Sequence, residues 1–385
     1  MNVLIPVFKP FYLETVLSIH VQHLAQTLVE AGWQVDLLVF SEEGACALPG
    51  VGVTSLFGKS RLARLASRSL VLRGILNILL FFRALGMCCA RRYQVVHVLG
   101  ESAFLAVLLK RFFRARLVYD LNASIRETLR RPGLHMLKPF WLRLERFLIR
   151  AADRVLSPCG ILTELTRADV PGLRIDQIES PPLYPAFRED REGAQRLRQE
   201  LGIGTDRVIL YGGNFSGCQG IELLIKAARP VLRQHEALRF VALGVDYCKI
   251  KWLSTMARSL DLQGRFIFLS KRPLAELPAF MTLADILVSV RTSGLLLPLE
   301  LITYMQTGKP LVATRTEVHT QLLTDEEAIL VMPHADDIAE GLARALTPGE
   351  TLKNMGMKSR SLVASRFSLA SFKHRIRGLY QELQP

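Results

Sequence analysis

The sequence predicts an α/β protein made of two doubly wound domains, each built on a parallel sheet. The chain has 385 residues, which is more than one hydrophobic core ordinarily holds. In both halves, short apolar segments alternate with segments of helical periodicity, as in sheets with right-handed crossovers. A break with three prolines at residues 178–185 (IESPPLYP) separates the halves, and we interpret it as a linker.

The N-terminal half begins with a buried strand at residues 1–7 (MNVLIPV). A helix follows, because apolar residues recur at helical spacing from Leu17 to Leu28, and Gly32 ends it. Another strand is predicted at 34–40. After a basic helical region, further strands are predicted at 95–100, 116–121 and 154–157.

The C-terminal half restarts the alternation with a strand at 207–213 and a helix at 220–234. Phe372, Ile376 and Leu379 share one face of a final predicted helix at 368–381, which could pack back across the domain junction. The predicted domains are 1–180 and 186–366, with 367–385 as the returning helix. Ligands are expected at the carboxyl ends of the strands, in the cleft that the two domains face. The remaining predicted strands are 238–244, 265–270, 285–290, 310–314 and 328–332.

The composition indicates a folded protein, since half of the residues are apolar and 22% are charged. The six cysteines form no CxxC pair, so neither a zinc site nor a disulfide framework is indicated, and we expect a reducing compartment. No basic segment precedes the apolar N-terminus, so we expect no signal peptide. The best membrane candidate, residues 74–82, is far shorter than the roughly 20 residues of a spanning helix.

The net charge of +14 is concentrated between residues 51 and 150, which contain 19 basic and four acidic residues. Large apolar side chains are interleaved with the basic ones, as in an interfacial membrane helix. We therefore predict peripheral binding to an anionic membrane through residues 58–92 and 134–150. A solvated helical face with its apolar side in the core is the simpler alternative. Nucleic-acid binding is not favoured, because no recognised module is present.

Two segments carry patterns typical of anion sites. In VILYGGNFSGCQGIELLIKAA (208–228) a strand enters a glycine-rich loop that precedes a helix. Backbone N–H groups there could approach a ligand, although a tight structural turn also explains the glycines. In the segment 284–314 a strand is followed by Arg291, a Ser-Gly loop and Pro298, at the start of a predicted helix that runs to about Thr307. Arg291 could neutralise a diphosphate leaving group without metal, or be a surface arginine of a βαβ unit.

The segment YMQTGKPLVAT (304–314) resembles the E-A-M-A-x-G-x-P-V-V-A signature of family-four, GT-B-fold glycosyltransferases. Segments 21–40, 210–228, 269–290 and 319–333 are similar to other parts of the same family, so the resemblance covers most of the chain. It implies two Rossmann-like domains and transfer of a sugar from a nucleotide-diphosphate donor, with retention and without bound metal. The acceptor in such enzymes is a saccharide and is often linked to a lipid.

The resemblance assigns the donor site to Arg291 and neighbouring residues, but several family groups are replaced. The family's E-x7-E carboxylates would fall on Leu295 and Thr303, and three leucines replace a polar T-N-T segment of a similar subgroup. Glu300 is either a favourable first-turn residue or a relocated ribose-binding carboxylate. Lys309 or Arg315 could add positive charge. The full set of donor-binding candidates is Gly213, Asn214, Gln219, Arg291, Gly294, Pro298, Glu300 and Thr303.

The catalytic candidates of the N-terminal domain are His97, Glu101 and Asn122. His97 and Glu101 follow one predicted strand, and DLNAS (120–124) resembles the family's D-x-H-x-S. Asn122 thus stands where the family often has a histidine, and an amide cannot take up a proton at neutral pH. His20 and His23 lie within the first predicted helix, where packing or surface roles are expected.

The sequence therefore predicts a cytoplasmic glycosyltransferase that acts at the inner face of the membrane, in cell-surface polysaccharide or glycolipid synthesis. Its expected partners are a nucleotide-sugar donor, a lipid-linked or saccharide acceptor and an anionic membrane surface. No cofactor, metal or nucleic acid is expected. The altered donor loop also allows an alternative, in which a degenerate GT-B protein binds or scaffolds without turnover.

Overall fold

The computed structural model describes residues 1–7, 16–40, 48–56, 70–99, 103–123, 138–213, 218–245 and 247–384. The chain divides into two compact units. Unit 1 comprises Met1–Ser180 and Leu369–Pro385, and unit 2 comprises Pro181–Ser368. Each unit is built on its own parallel sheet with helices between the strands. The predicted α/β class with two doubly wound sheets is therefore confirmed.

Unit 1 contains a seven-stranded parallel sheet in the order β3-β2-β1-β4-β5-β6-β7. The strand order reverses direction between β1 and β4, which makes this the topological switch point of the sheet. All five residues of β4 are buried, as expected for a strand covered on both faces. The strands are β1 (Asn2–Pro6), β2 (Gln34–Val39), β3 (Val51–Ser55), β4 (Val95–Leu99), β5 (Arg116–Asp120), β6 (Arg154–Ser157) and β7 (Ile175–Gln177).

One face of this sheet forms a core with two helices that are distant in sequence, α1 (Val16–Glu30) and the C-terminal helix α14 (Leu369–Glu382). Phe372, Ile376 and Leu379 enter this core, so the predicted apolar face of the last helix is confirmed. The other helices of unit 1 are α2 (Leu70–Ala90), α3 (Ala106–Phe113), α4 (Lys138–Ala151) and α5 (Gly160–Asp169).

Unit 2 contains a six-stranded parallel sheet in the order β10-β9-β8-β11-β12-β13, with its switch point between β8 and β11. Alternate residues of β8 face two separate cores: Ile209 and Tyr211 enter one, and Val208 and Leu210 enter the other. This alternation is the period of two that a strand imposes. The strands are β8 (Arg207–Gly212), β9 (Leu238–Val245), β10 (Phe266–Ser270), β11 (Ile286–Ser289), β12 (Leu311–Thr314) and β13 (Ile329–Val331).

The helices of unit 2 cover both faces of its sheet. They are α6 (Arg191–Glu200), α7 (Ile221–Gln234), α8 (Tyr247–Ser259), α9 (Leu277–Leu283), α10 (Leu299–Met305), α11 (Glu317–Thr320), α12 (Ala335–Leu346) and α13 (Glu350–Arg366).

Two predictions about elements need correction. The strands β3 and β7 were not predicted, because VGVTS and IDQ are short and only partly apolar. The predicted helix after Pro298 is also shorter than expected, since α10 has seven residues and turns replace its last positions. Within the described ranges, no helix is both long enough and apolar enough to cross a membrane.

Candidate active site

The carboxylate of Asp120, at the end of β5, is the centre of a buried polar network in unit 1. Its Oδ1 accepts hydrogen bonds from the backbone N–H of Asn122 at 2.8 Å and from Asn122 Nδ2 at 2.9 Å. Its Oδ2 lies 2.8 Å from His20 Nε2 and 3.5 Å from His97 Nε2. Burial alone would raise the pKa of Asp120, but the interactions with His20 and then His97 hold it well below its usual range. Asp120 is therefore ionised at neutral pH.

His20 belongs to this network, although the sequence analysis expected only a packing or surface role for it. When the ring is neutral, its Nε2–H donates to Asp120, and its Nδ1 accepts from the Ser180 hydroxyl at 2.9 Å. A sequence signal existed, because His20 lies three residues after Leu17 and four before Leu24, on the apolar face of α1. A histidine on such a face needs buried polar partners.

His97 is fully buried within β4, and its ring joins Asp120 to the C-terminal helix. Its Nδ1 lies 2.7 Å from the hydroxyl of Tyr380 on α14. Burial raises the pKa of Tyr380 well above its ordinary value, so the hydroxyl keeps its proton and donates it to Nδ1. Burial also lowers the pKa of His97, and Asp120 offsets only part of that effect. His97 is thus a neutral ring that contacts protein atoms rather than a substrate.

Asn122 and Ser180 are partly exposed, unlike the buried His20, His97 and Asp120. Because the Nδ2 of Asn122 donates to Asp120, its carbonyl oxygen is left as the acceptor, with the Ser180 hydroxyl 3.5 Å away. The network can therefore fix a hydrogen-bond acceptor at the end of β5, but it offers no exposed group that takes up a proton. Glu101, the third catalytic candidate, lies outside the described residues.

In unit 2, the loops after β8 and β11 lie beside each other at the switch point of the sheet. Thr292 N–H donates to the carbonyl of Cys218 at 2.9 Å, which joins the two loops directly. Gly220 has a φ of +70°, and a Cβ there would lie 1.9 Å from the carbonyl oxygen of Val290. Only glycine allows this approach, so Gly220 is explained by the tight packing of the backbone at this point. Asn214 lies outside the described residues.

Arg291 follows β11 and forms an ion pair with Glu300 on α10, with 2.9 Å between Nη2 and Oε1. Both side chains are partly accessible, at 15% and 22% exposure. Burial alone would lower the pKa of Arg291, but Glu300 raises it above its ordinary value, so the guanidinium stays charged. The one arginine that the sequence assigned to the donor site is therefore already paired with a carboxylate.

The buried His319 is connected to the backbone of Arg291 through Thr314. The Thr314 hydroxyl donates to the carbonyl of Arg291 at 2.5 Å. His319 Nδ1 donates to the carbonyl of Thr314 at 2.7 Å, so its Nε2 accepts from the Ser289 hydroxyl at 2.9 Å. Burial lowers the pKa of His319 to about 4; the bond to Thr314 opposes this, and the charge of Arg291 adds to it. The ring is neutral and holds the ends of β11 and β12 together.

Two donor-binding candidates, Thr303 and Gln219, are buried and form hydrogen bonds with other groups of the protein. Thr303 is fully buried, where its hydroxyl donates to the Leu299 carbonyl at 2.9 Å. Thr303 therefore offers no accessible group beside Glu300, although the two residues are three positions apart on α10. Gln219 is also buried, and its backbone carbonyl accepts from the Tyr211 hydroxyl at 2.8 Å.

The two further basic residues are also engaged elsewhere. Lys309 Nζ donates to the carbonyls of Thr282 and Ala284 at 2.8 and 2.6 Å, and Arg315 forms an ion pair with Asp325 at 2.6 Å. Among the described donor-binding candidates, Arg291, Gly294, Pro298 and Glu300 lie together: a Cβ at Gly294 would lie 3.9 Å from Arg291 Nη1, and Pro298 directly precedes α10, which carries Glu300. Gly213 directly follows β8, the strand next to β11 in the sheet.

The arrangement in unit 2 can stabilise negative charge through Arg291 and through backbone N–H groups of the glycine loop, once Glu300 is displaced or shared. Among the described residues, no group of three or more His, Cys, Asp or Glu side chains is arranged to hold a metal ion. The expectation of chemistry without a metal stays a prediction.

Comparison with known families assigns both halves of the chain. Residues 17–179 match the family model of the glycosyl transferase 4-like domain, and residues 194–362 match that of the group 1 glycosyl transferases. Together the two matches cover most of the chain. The protein therefore belongs to the family-four glycosyltransferases of the GT-B fold, as the sequence motifs indicated.

Individual relatives agree with this assignment. YtcC of Bacillus subtilis, named as a glycosyltransferase, is 29% identical over 52% of this chain, and the match spans only 52% of that relative's own length. The sucrose-phosphate synthase of Thermosynechococcus elongatus has the same fold, with a TM-score of 0.81, 18% identity and coverage of 99% of this chain and 98% of that one. The Anabaena protein HepE, solved in complex with UDP-glucose, has a TM-score of 0.77 and 15% identity, with coverage of 99% and 100%.

Proposed function

We propose that the protein transfers a sugar from a nucleoside-diphosphate donor to a lipid-linked or saccharide acceptor. The transfer would retain the configuration of the sugar and would serve the synthesis of a cell-surface polysaccharide or glycolipid. The proposal of a nucleotide-sugar donor depends mainly on the position of Arg291. This residue follows β11 at the switch point of the unit 2 sheet, beside the glycine-rich loop that follows β8. Ligands of doubly wound sheets bind at this point.

The chemistry of a diphosphate leaving group supports this donor class. As the bond to the sugar breaks, negative charge grows on the phosphate oxygens, and a preorganised guanidinium stabilises that charge. Two contacts fix the position of Arg291. The Thr314 hydroxyl donates to its backbone carbonyl, and its guanidinium forms an ion pair with Glu300. The UDP-glucose complex of HepE, a protein of the same fold, is consistent with a nucleotide sugar as the donor.

The polar network of unit 1 supports retention. An inverting transfer needs a general base that removes the proton of the acceptor hydroxyl. Among the candidates that the structure describes, Asn122 cannot serve as that base, His97 is buried, and the Asp120 carboxylate is occupied by donors from within the protein. Asn122 would instead orient a sugar hydroxyl through its carbonyl oxygen. We place the acceptor at an anionic membrane surface on the cytoplasmic side, with the protein bound peripherally.

A donor panel tests this proposal. Purified protein is incubated with UDP- and GDP-sugars, together with lipid-linked and oligosaccharide acceptors, and product is measured by mass spectrometry. We expect Arg291→Ala to reduce transfer by at least about a hundredfold. Arg272→Ala is the matched control, because Arg272 also pairs with a glutamate in unit 2 but follows β10, which β9 and β8 separate from β11 in the sheet. Unchanged transfer by Arg291→Ala would show that the donor site is assigned wrongly.

One observation favours a second candidate function, in which the protein binds a saccharide or nucleotide assembly without turnover. Arg291 is already neutralised by Glu300, and the loop between them carries Leu295, Leu296 and Leu297. Calorimetry with UDP and GDP separates the candidates. A transferase of the proposed type binds one of the two nucleotides, whereas a scaffold protein that is well folded binds neither.

A further inference from the structure

Three neighbouring helices of unit 1 expose large apolar side chains to solvent. Eight such side chains on α2, α3 and α4 are between 44% and 69% exposed, whereas all other described parts of the chain together expose five. We call the outward surface of these three helices the α2–α4 face. Its apolar members are Ile75, Ile78, Leu79, Phe82, Leu108, Phe112, Phe140 and Phe147.

The three helices form one continuous region of the fold. Helix α2 packs against α3, and both α3 and α4 contact the short 3-10 turn Ala103–Leu105. The inner sides of the helices are in the core, where Leu80, Leu109 and Leu148 are fully or almost fully buried. The exposed side chains therefore remain outside after each helix has buried its own core-facing side. Exposed apolar side chains that are concentrated on neighbouring helices indicate an interaction surface rather than an ordinary solvated face.

The charge on this face has one sign. The only acidic residue in the three helices is Glu145, which is fully buried beside the Tyr119 hydroxyl. Arg83, Arg111 and Arg143 are exposed and form no ion pair with any described residue. On α4, the exposed positions Phe140, Arg143, Phe147 and Arg150 alternate aromatic and basic side chains along one side of the helix.

We propose that the α2–α4 face binds the surface of an anionic lipid bilayer and inserts its aromatic and aliphatic side chains among the lipids. Amphipathic helices with basic and large apolar side chains lie in the bilayer interface in this way. Anionic headgroups complement the arginines. A second copy of the chain would instead place arginines opposite arginines, so self-association through this face is disfavoured.

This inference assigns the membrane contact that the sequence predicted to particular exposed residues of the structure. It rests on the proposed function for the identity of the acceptor. It adds α3, with Leu108 and Phe112, which the predicted segments 58–92 and 134–150 did not include. Residues 58–69 and 134–137 of those segments lie outside the described residues. The surface would hold the enzyme where a lipid-linked acceptor is presented.

Sedimentation with vesicles tests the surface on the full chain. We expect binding to mixed phosphatidylcholine–phosphatidylglycerol vesicles and poor binding to phosphatidylcholine alone. Raising salt from about 0.1 M to about 1 M shortens the screening length from about 10 Å to about 3 Å, so binding should weaken. It should not vanish, because insertion of apolar side chains is insensitive to salt.

A charge variant tests the electrostatic part of the contact. Replacing Arg83, Arg111, Arg143 and Arg150 by Glu should reduce binding to the anionic vesicles by at least about a hundredfold. The matched control carries the same charge change on exposed residues of unit 2: Arg196, Lys226, Arg233 and Arg344, each replaced by Glu. The control variant should keep most of the binding, since it leaves the α2–α4 face intact.

An aromatic variant tests insertion. Replacing Phe82, Phe112, Phe140 and Phe147 by Ala should remove the binding that remains at high salt, with a loss of at least about tenfold. These four side chains are more than half exposed, so the fold should survive, and circular dichroism checks this. The control replaces exposed apolar residues elsewhere, namely Leu165, Trp252, Met332 and Met357, by Ala.

The outcomes separate this inference from the proposed function. If wild-type protein stays in the supernatant with anionic vesicles at low salt, or if both control variants lose as much binding as the test variants, the inference is wrong. Dimerisation that the aromatic variant abolishes, without vesicle binding, would also overturn it in favour of a second copy. Binding of UDP or GDP by calorimetry reports on the donor site independently, so loss of the membrane contact leaves that proposal standing.

Discussion

Each unit buries a histidine near the carboxyl ends of its central strands, but the two surroundings differ in charge. In unit 1, His20 and His97 lie against the ionised carboxylate of Asp120. In unit 2, the ring of His319 forms hydrogen bonds with the Ser289 hydroxyl and with neutral groups of Thr314 and Thr316, and the charged group that affects its pKa is the cation Arg291.

The difference determines how each unit responds when its buried group, Asp120 or His319, changes its protonation state. A carboxylate that accepts several hydrogen bonds keeps its charge in a buried site and orders the donors around it. A buried histidine without an acid must remain neutral, and its protonation would oppose the folded state. Unit 1 thus stabilises the buried negative charge of Asp120 within its candidate site. Unit 2 instead keeps the ring of His319 neutral beside the positive charge of Arg291.

The largest expected effect follows from removing the charge of unit 1. Asp120→Ala leaves the donors on His20 and Asn122 without their acceptor in a buried site. We expect the free energy of unfolding of unit 1 to fall by about 3 kcal/mol or more. Hydrogen exchange of peptides from β4 and β5 measures this loss in the unit that carries the change.

Asp325→Ala is the control, because Asp325 also pairs with an arginine but is exposed in unit 2. An exposed pair contributes at most about 1 kcal/mol. If Asp120→Ala is as mild as Asp325→Ala, the network does not hold unit 1 together and the contrast between the units fails.

The second prediction concerns pH and unit 2. The pKa of His319 is about 4 in the folded protein, whereas that of an ordinary histidine is 6.5, so the unfolded chain binds the proton first as pH falls. The stabilising contribution is complete above the unfolded pKa and is lost as pH falls toward the folded pKa. Between roughly pH 7 and 5 we expect a loss of about 2 kcal/mol from this residue. His319→Gln should remove that part of the acid sensitivity.

The measurement compares wild type and His319→Gln by hydrogen exchange of β11 and β12 at the two pH values. Strand-resolved data are needed, because burial first, and then electrostatic interactions with His20 and Lys373, also lower the pKa of His23 in unit 1 to about 4. Equal acid sensitivity of β11 and β12 in both proteins would contradict the assignment to His319.

The smallest expected effect concerns the ion pair of unit 2. If Glu300 competes with a diphosphate for Arg291, Glu300→Gln should strengthen UDP or GDP binding by about tenfold. Calorimetry measures this, with Glu276→Gln as the control, since Glu276 pairs with Arg272 on the surface. Weaker binding by Glu300→Gln would instead assign Glu300 a direct contact with the donor, such as the ribose.

Most of the fold could be predicted from the sequence because the strands are covered on both faces. Segments such as VVHVL and LVAT consist mostly of apolar residues and differ clearly from the helical segments between them. The strands β3 and β7 were missed because they lie at the edges of the unit 1 sheet, where less of each strand is buried and the sequence is mixed.

The candidate site was predicted less completely, because hydrogen-bond partners come from distant segments. His20, Asp120, Ser180 and Tyr380 meet in space although as many as 360 positions separate them in sequence, and spacing carries no signal for such contacts. The pairing of Arg291 with Glu300 is closer in sequence, but it depends on the loop conformation between β11 and α10. Residue types indicated the chemistry, while the partners needed the structure.

The membership of α14 in unit 1 has a consequence for synthesis on the ribosome. Unit 2 is one continuous segment, so it can complete its fold as soon as residue 368 has emerged. Unit 1 starts first but finishes last, since His97 gains the Tyr380 hydroxyl and the α1 core gains Phe372 only when α14 is made. A nascent chain that stalls before α14 would therefore carry a finished second unit and an unfinished first one, open to proteases and chaperones.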